Sequence, residues 1–74
     1  MKWSKLLKDL RSKLILSQKE MAELLGVSFA SLNRYENGHH EPTIKVKRRI
    51  KELCNQYDMD FDAYMIGDIN DKFS

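Results

Sequence analysis

Phe29, Ala30, Asn33, Arg34 and Asn37 recur at spacing i, i+1, i+4, i+5, i+8, which on a helix makes one continuous stripe. The stripe holds no acid, and Glu36 turns away from it. Two of its members are planar hydrogen-bonding groups. Arg34 can donate a pair of bonds to O6 and N7 of guanine, and Asn33 can pair with N7 and N6 of adenine; each good pair discriminates by about 1–3 kcal/mol. Phe29 and Ala30 have no polar group and can meet only thymine methyls or sugar. The alternative for Phe29 is extra core against the preceding helix. A second candidate set is the basic run Lys45, Lys47, Arg48, Arg49 and Lys51, whose charge would attract phosphate. One helix cannot aim all five the same way. Those nearest its start, Lys45 foremost, are expected to matter; Arg49 and Lys51 fit a solvated face.

Other chemistry-bearing patterns are incomplete. Asp58-Met59-Asp60-Phe61-Asp62 copies the first half of a calcium loop, but its sixth position is Ala63 and its twelfth would be Ile69, where glycine and glutamate are needed. These aspartates fit better as caps of a following helix. His39 and His40 are adjacent, with no second ligand pair nearby in sequence, so no metal is expected. Cys54 lies beside an apolar stripe and reads as a small buried hydrophobe. No serine, cysteine or histidine sits in a catalytic motif, so neither enzyme nor cofactor is expected.

The elements that would position these residues are helices. Trp3, Leu6, Leu7, Leu10 and Leu14 recur at helical spacing and predict an amphipathic helix over residues 3–13. Ser17-Gln18-Lys19-Glu20 fits a capping box, so a second helix starts near Gln18 and stops at Gly26. Ala22 is small where two crossing helices must approach closely. Ser28 is a good N-cap for a third helix over 28–37, with Val27, Leu32 and Tyr35 turned inward. Asn37-Gly38 ends it, and Pro42 keeps Glu41 out of a helix. Thr43 caps a fourth helix whose Val46, Ile50, Leu53 and Tyr57 form an apolar stripe. A short fifth helix spans roughly Asp60–Ile66. The expected fold is all-α, with five helices and a helix-turn-helix formed by the second and third.

Composition narrows the class. One cysteine cannot make an internal disulfide, and no apolar run exceeds four residues, far short of the ~20 that span a bilayer. The start of the chain lacks a signal-peptide pattern. A hydrophobic fraction of 42% argues against disorder. A cytoplasmic protein, away from membranes, is the expectation. The net charge of +2 hides a split: residues 1–51 hold 12 basic and 5 acidic side chains, residues 52–74 hold 1 and 6. A basic body suits a polyanion, and the acidic end suits self-association or another partner.

The run Leu16-Ser17-Gln18-Lys19-Glu20-Met21-Ala22-Glu23-Leu24-Leu25-Gly26-Val27-Ser28, then Leu32-Asn33-Arg34-Tyr35-Glu36-Asn37-Gly38 and Pro42, resembles the lambda-repressor-like DNA-binding family (Cro-type, or XRE). The likeness covers residues 5–67 and is most specific over 16–38. The tail Asp60–Gly67 is similar to that family's fifth helix, with Ala63 and then Tyr64 where an aromatic often follows the aspartate directly. The resemblance implies phosphate contacts at Gln18, Ser28, Ser31, Asn37 and the loop after it, where His39 lies, and base reading at Phe29, Ala30, Asn33 and Arg34. It also implies a structural ion pair between Arg11 and Glu36. Many relatives carry a polar residue at the position of Phe29.

The resulting expectation is one DNA-binding domain over 1–67 with a short tail, 68–74. It would belong to a repressor-type transcriptional regulator that binds double-stranded DNA as a two-fold homodimer, on half-sites ~34 Å apart. Phe61, Tyr64, Met65 and Ile66, extended by Ile69 and Phe73, are the dimer candidates, unless the first three simply close the core. The competing expectation is an antitoxin or accessory module of the same fold, docking a protein partner through its acidic C-terminal region.

Overall fold

The structure is a computed structural model and describes residues 2–65. Four helices follow in order: α1 (Lys2–Leu14), α2 (Gln18–Leu25), α3 (Phe29–Glu36) and α4 (Ile44–Gln56). Helical backbone resumes over residues 61–65, called α5 here. No strand occurs among the described residues. Ile66, Ile69, Phe73 and the tail 68–74 lie outside the described residues.

Local signals set the boundaries. At α2 both halves of the capping box form: the Glu20 amide donates to Ser17 Oγ at 3.1 Å, and the Ser17 amide donates to Glu20 Oε1 at 3.0 Å. That bond to the Ser17 amide is the main cause holding the Glu20 carboxyl below its ordinary range. Gly26 ends α2 at φ 74°, and a Cβ there would meet nothing within 4 Å. Its requirement is conformational rather than steric. Ser28 and Thr43 cap α3 and α4 through the Ser31 and Val46 amides. Asp60 caps α5, accepting from the Ala63 amide at 3.1 Å.

Two other helix ends use costlier residues. Ile15, after α1, sits at φ 55°, and Asp58, after α4, at φ 57°. An aspartate tolerates this conformation, but for a β-branched isoleucine it is strained.

The core joins Trp3, Leu6, Leu7 and Leu10 of α1 to Met21, Ala22 and Leu25 of α2, Leu32 and Tyr35 of α3, and Val46, Ile50, Leu53 and Cys54 of α4. Cys54 is fully buried, and desolvation pushes its thiol pKa up. It packs as the small hydrophobe its position suggested. The expected α4 stripe ends one member early. Tyr57 leaves helical geometry as the C-cap, at φ −111° and ψ 23°, and is 36% exposed. Extrapolating the helical period past the true helix end put it inside.

α5 closes one side of this core. The Phe61 ring lies 5.6 Å from that of Trp3 at 56° between planes, and Tyr64 Oη donates to Asp9 Oδ2 at 2.5 Å. Met65 packs half-buried against the same core. These three dimer candidates therefore spend part of their surface inside the protomer.

Candidate nucleic-acid interface

The arrangement of α2 and α3 is organised by one buried carboxylate. Glu36, 2% exposed at the end of α3, accepts from Arg11 Nε at 2.8 Å and Nη2 at 3.1 Å. Arg11 also reaches the Leu16 carbonyl at 3.2 Å, at the entry to α2. Gln18 Nε2 donates to Glu36 Oε1 at 3.1 Å. On the other side of this helix end, Ser4 of α1 donates its hydroxyl to the Glu36 backbone carbonyl. One carboxylate thus ties α1 and the first turn of α2 to the end of α3. A forked pair of this kind, largely removed from water, fixes orientation as well as distance.

With Leu32, Tyr35 and Glu36 buried, the opposite side of α3 is turned to solvent. Phe29 is 52% exposed, so it is not extra core. Ala30 and Arg34 are exposed beside it, and Asn33 is half-buried. Asn37 Nδ2 donates to Asn33 Oδ1 at 2.9 Å. That bond leaves the Asn33 amide nitrogen and a second lone pair on its oxygen for other partners. At the start of the helix, Ser28 Oγ caps the Ser31 amide and donates to Ser31 Oγ at 3.0 Å. The Ser31 hydroxyl proton stays available to an outside acceptor.

The flanking groups separate into used and unused. Gln18, expected at phosphate, has its side-chain amide on Glu36, with a second N–H to spare. In the basic run, Lys47 pairs with Glu41 at 2.6 Å and lies 5.2 Å from the centre of the Trp3 ring. Its hydrogen bond is the main cause lowering the Glu41 carboxyl pKa. Arg49 donates to the Leu24 carbonyl at 3.3 Å and pairs with Glu52, and Lys51 lies over Phe61. Lys45 and Arg48 are exposed, with no ion pair among the described residues. Lys45, on which the expectation for α4 centred, shares this exposed and unpaired state with Arg48, one turn further on.

The loop after α3 separates the two adjacent histidines that the sequence paired. His40, rather than His39, joins Ser31, Arg34 and Tyr35 around a small cleft of about 90 Å³. Which of two adjacent loop histidines points there depends on the loop's path, and nothing local in the sequence encodes it. His39 is exposed, and its backbone N–H is bonded to the Arg34 carbonyl at 3.0 Å. A hydroxyl, a guanidinium and an imidazole around one cleft can receive an anionic oxygen. Among the described residues no group of three or more metal-ligating side chains converges, and no helix is long and apolar enough to cross a membrane.

Comparison with known proteins agrees with this geometry. The helix-turn-helix family matches residues 7–62, from within α1 into α5. A protein of Pyrococcus abyssi (strain GE5 / Orsay), provisionally named an HTH-type transcriptional regulatory protein, is 42% identical over 66 residues. That alignment covers 89% of this chain and 19% of the relative, so the chain spans about a fifth of the protein it matches. No solved structure matches it. Its two short helices around Gly26, its outward α3 stripe and a family match across most of its length belong together: the chain is a member of the Cro/C1-type (XRE) helix-turn-helix family of DNA-binding domains.

Proposed function

We propose that the chain acts in the cytoplasm as a small sequence-specific transcriptional regulator of the repressor type, with α3 in the major groove of double-stranded DNA. The observation that carries this reading is the division of α3 into two faces. Leu32, Tyr35 and Glu36 anchor it, and Phe29, Ala30, Asn33 and Arg34 stand outward together. Arg34 reads guanine and Asn33 reads adenine, with Phe29 and Ala30 against thymine methyls or sugar. Gln18, Ser28, Ser31, Asn37, His39 and Lys45 contact phosphate, joined by His40 and Arg48. Such contacts set register and supply most of the sequence-independent affinity.

One short helix offers little contact area, so the chain binds as a two-fold dimer on half-sites about one helical turn apart. The solvent-facing parts of Phe61, Tyr64 and Met65 support a dimer surface on α5, since each keeps some area outside the core. Selection of binding sites from a random duplex pool tests the whole reading. A palindromic enriched motif is the expected result; a pool that stays random after several rounds overturns it.

A further inference from the structure

A groove of about 550 Å³ opens where α1 ends, α2 turns outward and α4 stops. Its apolar lining is Leu14, Leu16, Leu24 and Tyr57, and its acidic members are Glu20 and Glu23. None of these residues belongs to α3 or to the phosphate contacts assigned above, and two carboxylates would repel a DNA backbone. Between Leu14 and Leu16 lies Ile15, 88% exposed and held at φ 55°. A β-branched side chain in that conformation carries a local energetic cost, and within the protomer it gains almost no burial in return. Strain and an exposed large hydrophobe thus coincide at the residue between two of the groove's lining leucines.

We infer that this groove is a docking site for an amphipathic helix of another protein, one whose apolar stripe is flanked by lysine or arginine. Chemistry selects that occupant. The groove lies between helices and offers side chains rather than a free strand edge, so a partner engages it by laying an apolar helix face along it. Glu20 is held ionised by its bond to the Ser17 amide, and Glu23 is exposed on the next turn of α2. Their charge favours basic flanks on the incoming helix. A second copy using the same patch is disfavoured, because a two-fold interface would set these glutamates against themselves.

The test is an NMR titration of the isotope-labelled chain with two synthetic helical peptides. Both carry the same leucine stripe at i, i+3, i+4 and i+7; one is flanked by lysine, the other by glutamate. The lysine-flanked peptide should shift the amides of Leu16, Glu23, Leu24 and Tyr57 and bind at least about tenfold more tightly than the other, a difference of about 1.4 kcal/mol. Glu23→Lys, at an exposed position that leaves the fold intact, should reduce that preference, and Ile15→Gly should weaken both peptides. Equal binding of the two peptides, absence of shifts, or shifts on α3 instead would overturn the proposal. So would shifts at the same four residues on raising protein concentration without peptide, which would mark a self-association surface.

Discussion

Arg11 and Glu36, twenty-five residues apart, meet through a forked pair of hydrogen bonds of 2.8 and 3.1 Å that locks α1 to the end of α3. The glutamate side chain is 3% exposed and the arginine 26%, so the carboxylate bears most of the desolvation. Arg11→Ala leaves that charge buried with only Gln18 beside it. Breaking a buried pair in this way costs about 3–5 kcal/mol. The partial exposure of Arg11 places the expected loss near the lower end, about 3 kcal/mol in urea denaturation. Arg11→Met combined with Glu36→Leu should recover much of it. A loss under about 1 kcal/mol for Arg11→Ala would show that water screens the pair.

Gly26 and Ile15 share a left-handed backbone and should respond in opposite senses. No atom obstructs a Cβ at Gly26, so Gly26→Ala should cost only the conformational term, about 1–2 kcal/mol. Ile15→Gly removes a strained residue whose side chain is almost wholly in solvent, and should stabilise by about 1 kcal/mol. Thermal unfolding of the two variants checks both signs. A destabilised Ile15→Gly protein would mean that the isoleucine side chain packs in solution.

The Tyr64–Asp9 bond predicts a specific pH dependence. Burial, then the Asp9 bond, raises the Tyr64 pKa to about 12, and the Tyr64 bond is the largest cause holding Asp9 below its ordinary value. A raised tyrosine pKa means that its contribution is fully present below about pH 10 and is lost as pH climbs towards 12. The lowered Asp9 pKa gives the opposite edge, a contribution present above about pH 4 and lost as pH falls below it. Stability curves of the native chain and Tyr64→Phe should therefore differ between these edges and converge beyond each. Parallel curves at every pH would contradict the bond.

Salt should separate the basic residues by their partners. Lys45 and Arg48 are exposed and unpaired among the described residues, whereas Lys51 lies over Phe61 and Arg49 holds the Leu24 carbonyl. Lys45→Ala and Arg48→Ala should each lower the slope of log affinity for random duplex against log salt by about 1. Lys51→Ala should leave it nearly unchanged. Equal effects at all three sites would mean that only total charge matters.

The parts of this molecule legible in its sequence are those set by neighbours along the chain. Ser17 with Glu20, Gly26, Ser28 and Thr43 announce helix ends because each bond they make spans only a few residues. The Arg11–Glu36 pair came from the family resemblance, since no spacing rule links positions so far apart. The Gln18 bond to Glu36 and the approach of His40 to Arg34 were not legible, because both depend on how helices cross and how a loop runs. Tyr57 was misplaced by carrying a period beyond the end of its helix. Phe29 was ambiguous for a different reason: an aromatic on a short helix fits core and interface equally until the buried face is known.

Base reading by α3 is the central proposal, and Arg34 tests it most directly. With a duplex recovered by selection, the affinities of the native chain and Arg34→Ala should be compared on that site and on a random duplex at one salt concentration. The exposed guanidinium is expected to contribute to both, but more to the selected site. Arg34→Ala should lose about 1–3 kcal/mol of the difference between the two duplexes, with relaxed preference at one base pair. Equal losses on both duplexes would reduce Arg34 to a phosphate contact and contradict the role assigned to α3.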